Sequence, residues 1–413
     1  YSHRFSVDGD VAVSTRLQTP GKNILVGALG RGGNGLYALD VTNPGAFSAT
    51  DVKWRFTDAD MGQVLGKPVI ARMNDGTMAV IVGNGVNSTS ERSLMYVINL
   101  ETGALIKKFD TGQGSALASN GMFTPRGWDT DVNGTVDYIY GGDLLGNVWK
   151  LDVTDKSISK WDFSFTAAGK PAPLFVARDG SGNRQPITGA LSVGLDPATY
   201  NRWIFVGTGR YLSTTDISSK SVQSWYGFLD ENAVVVGRSV LTQRSIVVST
   251  IASGRVVRGF SQAVDGDMVG KKGWYMDLVP PSPALPEGER MVGDSFLIGR
   301  ILIGSSIVPS DQVCEVGGRG YINAIDAFTG AALTTPFFDI NGNGSFGDDD
   351  KVALPSGGTV PVGSIDLGIA MPTTPAVIER ILLAGGSTGQ TGVIGINNPV
   401  VSGRISWREI VRD

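Results

Sequence analysis

Histidine and cysteine are nearly missing from this chain of 413 residues: there is one of each, His3 and Cys314. A single cysteine cannot close an internal disulfide and says little about compartment. One cysteine and one histidine cannot make up the Cys/His set of a zinc site. A Ser-His-Asp triad would have to draw on His3, at the start of the chain, where chains fray. Cys314 reads as a small buried residue. Cationic clusters are also lacking. The formal net charge is −4 with no Lys/Arg run, so nothing points to nucleic acid as a partner. No apolar run reaches the ~18 residues of a membrane-spanning helix, which leaves the chain without a transmembrane segment, and the N-terminus lacks a signal-peptide pattern. Helical periodicity is almost absent. The chain opens at Tyr1 inside a polar, strand-like stretch, so the expectation is a domain cut from a longer protein.

Glycine is abundant, at 57 residues, in a chain rich in Val, Ile and Thr, which points to many turns and short strands. A module recurs: an apolar strand, a Gly-rich turn, a second strand ending near Asp or Asn, then often Thr-Gly and a third strand. It spans Asn23 to Val41, Met78 to Gly103 and Asp137 to Val153, with a looser copy from Arg202 to Ile217. It returns from Arg300 to Gly330 and from Arg380 to Asn397, and a less regular copy lies between Ser239 and Leu278. The spacing, roughly 45 to 80 residues with insertions, fits the four-stranded blades of a β-propeller, about seven in number. No blade can bury both faces alone, so neighbours must stack and the ring must close. The fold expected is all-β, one propeller domain over residues 1–413. The Pro-rich run Val279 to Pro286 reads as an inter-strand loop, because blades resume on both sides. The terminal strand around Ile405 to Ile410 is the candidate for closing the ring.

Trp128 to Asp152 carries the clearest chemistry. Asp129-Thr130-Asp131-Val132-Asn133-Gly134-Thr135-Val136-Asp137 places oxygen-bearing side chains at positions 1, 3, 5 and 9, with Gly at 6. That is the front of an EF-hand-type calcium loop, where a hard cation needs oxygens converging from one tight turn. Tyr140 stands at position 12 in place of Glu, so Asp137, a remote residue or water must complete the shell. The alternative is an ordinary polar hairpin, since Asp, Asn and Gly favour turns anyway. A second run begins at Asp339 and offers Asn341, Asn343 and Ser345, with Gly344 at position 6 and Asp350 at 12. Its fewer charges make it the weaker candidate for calcium, beside the alternative of a solvated acidic loop. Gly30 to Gly35 matches G-x-G-x-x-G, but a strand follows instead of a helix, so it reads as a hairpin turn. Ser157 to Lys160 matches S-x-x-K without its partner motifs. The dispersed Trp54, Trp149, Trp161 and Trp407 read as wedges between blades.

Several ordered motifs carry a family resemblance over essentially the whole chain. They are HRFSVDG from His3, LVGALGRGGNGLYALDVTNP from Leu25, DTDVNGTVDYIYGGDLLGNVWKLD from Asp129, GWYMDL at Gly273 with Gly288-Glu289-Arg290, GGRGYINAIDAFTG ending at Gly330, and RISWREI ending at Ile410. With these the chain resembles the C-terminal domain of the PilC/PilY family of type IV pilus tip-associated biogenesis factors and adhesins. The resemblance implies a modified seven-bladed propeller without catalytic activity. It implies a calcium loop formed by Asp129, Asp131, Asn133, the carbonyl of Thr135, and Asp137. It also implies export to the bacterial cell surface, pilin or minor-pilin partners, a role in pilus assembly, twitching motility and surface attachment, and calcium modulating the pilus. Some members carry an Arg-Gly-Asp tripeptide; this chain has Arg178-Asp179-Gly180 instead, which removes the basis for integrin-type attachment. GLYALD from Gly35 and GNVWKLDVTD from Gly146 also look like blade signatures of quinone (PQQ)-dependent dehydrogenases, which use calcium. The adjacent cysteine pair of those enzymes has no counterpart here.

Overall fold

Valine- and isoleucine-rich runs of five or six residues, bounded by Gly, Asn and Asp, dominate the chain and form antiparallel strands. The computed structural model describes residues 5–310 and 317–399. Among these, the single α-helical segment is one turn, Thr214–Ile217. The strands gather into six sheets of four or more strands, with two additional two-stranded ribbons.

The first three sheets follow chain order. The first contains Val11–Val13, Ile24–Ala28, Leu36–Asp40 and Val52–Phe56. The second contains Val69–Arg72, Met78–Gly83, Leu94–Asn99 and Leu105–Asp110. The third runs Arg126–Trp128, Tyr138–Gly142, Asn147–Asp152 and Asp162–Phe163. The fourth, Ser192–Leu195, Arg202–Gly207 and Ser224–Leu229, takes Gly273–Asp277 as its next strand and adds Thr242–Arg244 in parallel. First strands of successive sheets touch: Val11–Val13 meets Val69–Arg72, and so on through Arg126–Trp128 and Ser192–Leu195 to Phe296–Ile298. Such a succession is what a radial arrangement of blades requires.

Packing explains the strand sequences. Val80 and Val82 of the second sheet join a cluster with Ile24, Val26 and Leu36 of the first. Their neighbours Ala79 and Ile81 join a cluster with Ile139, Trp149 and Leu151 of the third. A strand whose two faces each meet another sheet must be apolar at every position, so these strands lack hydrophobic–polar alternation. The tryptophans sit in the seams as expected: Trp54 of the first sheet is buried and donates its indole N–H to Leu100 O at 2.8 Å. Trp149 and Trp161 are fully buried, and Trp407 lies outside the described residues.

The second half is less regular. The copy expected between Ser239 and Leu278 is divided. Its end, Gly273–Asp277, belongs to the fourth sheet. Its hairpin, Ile246–Ala252 with Arg255–Phe260, joins the fifth sheet, Phe296–Ile298, Ile301–Val308 and Arg319–Asp326, through the two-residue strand Ser364–Ile365. Counted by itself, this hairpin is the seventh unit. The sixth sheet pairs Ala376–Ile378, Ile381–Gly385 and Thr391–Ile396, and its edge is the earlier strand Phe338–Asp339. The closure segment Ile405 to Ile410 lies outside the described residues. The Pro-rich run lies between Gly273–Asp277 and Phe296–Ile298, an inter-strand loop as expected, and Gly30–Gly32 is a single 3-10 turn inside a hairpin.

Candidate metal centre

The Asp129–Asp137 loop connects the first and second strands of the third sheet, Arg126–Trp128 and Tyr138–Gly142. Its backbone is wrapped by its own side chains. Asp129 accepts the N–H of Asn133 at 3.2 Å and of Gly134 at 2.7 Å. Asp131 accepts from Asn133 N at 3.3 Å and from its side-chain amide at 2.9 Å. Asn133 Oδ1 accepts the N–H of Thr135 at 2.8 Å. Gly134 has φ +88°, where a side chain would be strained, which is why glycine is needed at this position. The turn brings carboxylate oxygens of Asp129, Asp131 and Asp137 within 4.8 Å of one another. It is the one such cluster of acidic, histidine or cysteine side chains among the described residues.

Like charges this close repel, and the loop offsets that repulsion only in part through N–H donors. Each carboxylate oxygen has two lone-pair directions, and the N–H bonds use only some of them. A hard divalent cation would use the remainder, and the all-oxygen donor set suits calcium. Of the five residues the spacing singles out, the turn brings the carboxylates of Asp129, Asp131 and Asp137 together, and Asn133 and Thr135 lie in the same hydrogen-bonded turn. Asp137 differs from the others. It is buried, accepts Thr130 N at 2.8 Å, and immediately precedes the strand Tyr138–Gly142.

Two residues from other blades hold the loop, and sequence reading missed both. Asn74, in the turn between Val69–Arg72 and Met78–Gly83, accepts the Thr135 hydroxyl at 2.8 Å. Its Nδ2 lies 2.9 Å from Val136 O, 3.1 Å from Asp137 Oδ1 and 3.1 Å from Val153 O. Arg202 of the fourth sheet reaches Thr130 Oγ1 at 3.3 Å. Arg202 also donates to buried Asp230 at 3.0 Å, where Lys150 Nζ sits at 2.8 Å and the Tyr140 hydroxyl donates as well. Burial pushes the Asp230 carboxyl up, but hydrogen bonds from Lys150 and Tyr140 and the Lys150 and Arg202 charges outweigh it and hold it below the usual range. Lys150 and Arg202 flank the Tyr138 ring at 4.1 and 4.7 Å. In sequence, Asn74 belongs to an unremarkable Asn-Asp-Gly turn, and nothing local marks it.

The Asp339–Asp350 loop repeats the same wrapping. Asp339 accepts from Asn343 N at 3.1 Å and Gly344 N at 2.9 Å, Asn341 Oδ1 from Asn343 N at 3.0 Å, and Asn343 Oδ1 from Ser345 N at 2.7 Å. Asp350, expected to close the loop, is fully buried and accepts Ile340 N at 2.8 Å and Gly347 N at 3.1 Å. Burial pushes its carboxyl above the ordinary value. The carboxylate that meets Asn341 and Asn343 is that of its neighbour Asp349. At the opposite strand ends from the first loop, segments of the first four sheets surround a cavity of about 410 Å³ that includes Arg31, Gln63, Leu144 and Arg210.

Residues 1–250 match the family model described as the PilY1 beta-propeller domain. The chain belongs to this family. A type IV pilus biogenesis factor PilY1 homolog of Xylella fastidiosa is 37% identical over 100% of this chain and 32% of its own length. PilY1 of Pseudomonas aeruginosa is 31% identical over 82% of this chain and 33% of its own length. The chain thus spans about a third of the curated relatives named. The crystal structure of the Pseudomonas aeruginosa PilY1 C-terminal domain superposes with a TM-score of 0.78 at 25% identity, covering 95% of this chain and 85% of that one. Membership in the PilY1 family agrees with the resemblance read from the ordered motifs, and the solved domain agrees with the propeller.

Proposed function

We propose that this chain is a calcium-binding, non-catalytic propeller of a type IV pilus biogenesis factor, displayed at the bacterial surface and contacting pilin or minor pilins. The observation that carries the calcium reading is the convergence of Asp129, Asp131 and Asp137 within 4.8 Å on a loop also lined by Asn133 and Thr135. The pilus reading rests on relatives named as type IV pilus biogenesis factors. Those names favour a non-enzymatic role over the quinone-dehydrogenase alternative. A cation here would neutralise the three carboxylates and stiffen a loop that two other blades grip. It would thereby change the surface that pilus components meet, in support of assembly, twitching motility and attachment. The Asp339 loop, with Asn341, Asn343, Ser345 and Asp349 as its oxygen donors, is the weaker site.

The test is calorimetric titration of calcium beside melting curves. Binding to the folded state alone raises stability by mass action, by about 2.7 kcal/mol at a hundred-fold excess over Kd. Asp137→Ala should lose most of the calcium affinity and of the calcium-dependent melting shift while staying folded. In cells it should change the number of surface pili without abolishing export of the protein. Unchanged affinity would remove Asp137 from the ligand set. Unchanged pili despite lost calcium would reduce the ion to a structural part.

A further inference from the structure

We infer that Asn74, which belongs to the second sheet, is a positioning residue for the cation loop of the third. Through it, occupancy of the loop is linked to the joint between these two sheets. This rests on the calcium reading of the Asp129–Asp137 loop.

Four contacts converge on this one amide. Its Oδ1 lies 2.8 Å from the Thr135 hydroxyl, whose one proton it shares with Asn133 Oδ1, and its two N–H groups are shared among Val136 O, Asp137 Oδ1 and Val153 O at 2.9 to 3.1 Å. Of the three clustered carboxylates, Asp137 is the buried one, so its orientation is fixed by partners and not by water. Those partners are Thr130 N on one oxygen and Asn74 on the other. Asn74 thus orients the acid that closes the loop, and it also holds the carbonyl of the adjacent Val136. The backbones meet at the same place: Val136 N donates to Arg72 O at 2.9 Å, and Met73 and Val136 form a parallel bridge. An ion that draws Asp137 and the Thr135 carbonyl inward must pull against, or be supported by, this inter-sheet contact. Partners that orient a ligand from behind are typically worth 10- to 100-fold in metal affinity.

The experiment titrates calcium alone into the wild-type chain, Asn74→Ala and Asn74→Ser, and follows amide exchange at Val136 with and without calcium. Serine keeps a residue suited to the turn but cannot span the distances to Asp137 and Val153, so it serves if the alanine variant fails to fold. The expected result is a calcium Kd raised roughly 10- to 100-fold in either folded variant. Calcium should slow exchange at Val136 in the wild type, and this slowing should be largely absent in the variants at equal occupancy. A purely structural Asn74 would instead lower the calcium-free melting temperature and leave both Kd and the calcium-induced slowing unchanged, which overturns the inference. Absence of calcium binding by the wild type overturns the calcium reading itself and the inference with it. Normal wild-type binding together with normal binding by the variants overturns the inference alone.

Discussion

Removing the carboxylate of Glu289 should be among the most destabilising single changes in this protein. Glu289 and Arg258 have side chains 0% and 1% exposed, and Arg258 Nη1 lies 2.9 and 2.8 Å from the two carboxylate oxygens. Ser306 Oγ donates to the same carboxylate at 2.6 Å and itself accepts from Asn323 Nδ2 at 3.0 Å. The guanidinium lies 3.4 Å from the Tyr321 ring centroid, and its Nε has no hydrogen-bond partner among the described residues. Arg258, Ser306, Tyr321 and Asn323 come from three strands of the fifth sheet, so the pair ties that sheet together. Glu289→Ala leaves a buried guanidinium with only the tyrosine face, which should cost about 3–5 kcal/mol. Removing both charges is different. Arg258→Met with Glu289→Leu fills similar volume without a desolvated charge and should lie within about 2 kcal/mol of wild type. The assay is urea unfolding followed by tryptophan fluorescence and far-UV circular dichroism, with coincidence of the two probes as the check on two-state behaviour. A single-variant loss under about 1 kcal/mol, or a double variant as unstable as the summed singles, would refute the reasoning.

Three further outcomes are expected. Hydrogen bonds from buried Arg244 hold Asp267 below its ordinary value of 3.8. A carboxyl depressed by folding contributes stability that is present above its unfolded pKa and lost as pH falls through the folded one. Arg244→Met should therefore flatten the acid limb of a stability–pH curve below about pH 4. Gly85 has φ +69°, and an added Cβ would run into the backbone of Gln63, so Gly85→Ala should cost about 2–4 kcal/mol in urea unfolding, from overpacking and left-handed strain together. Calcium titration of a chain carrying Asp129→Ala and Asp137→Ala should leave only weak binding at the Asp339 loop; binding tighter than at the first loop would reverse the ranking.

What was legible in the sequence was local. Strand and hairpin modules could be read because each is built within about 20 residues from apolar runs and Gly, Asn and Asp turns. The Asp129–Asp137 loop could be read because the hydrogen bonds it makes within itself run between residues at most seven apart. What joins one blade to the next could not. Asn74 and Asp137 are 63 residues apart, and Arg202 and Thr130 are 72 apart. Neither long-range partner lies in a distinctive motif, because an amide at a turn or an arginine at a strand start satisfies local rules equally well with or without a distant contact. The same limit divided the copy between Ser239 and Leu278 across two sheets, since Ser364–Ile365, which bridges its hairpin, is too short to announce itself.

The two acidic loops show where even a local rule stops. Their backbones are wrapped by the same N–H bonds at equivalent positions, so the pattern of Asx residues and glycine specifies the turn in both. Ligand charge is a separate property. The first loop sets three carboxylates within 4.8 Å, whereas the second places amides at positions 3 and 5 and turns Asp350 into the interior. The 3-10 turn Asp348–Asp350 explains the exchange of roles: residues one apart on such a turn point about 120° apart, so burying Asp350 leaves Asp349 on the outer side, beside Asn341 and Asn343. Counting to position 12 assumes the helix geometry of an EF-hand, and neither loop here is followed by one. Here Asp137, at the end of the first loop, immediately precedes the next strand, whereas Asp349, which meets the amides of the second loop, lies in a short turn against the sheet. Only the first arrangement would tie a bound cation directly to the strand pairing of a blade.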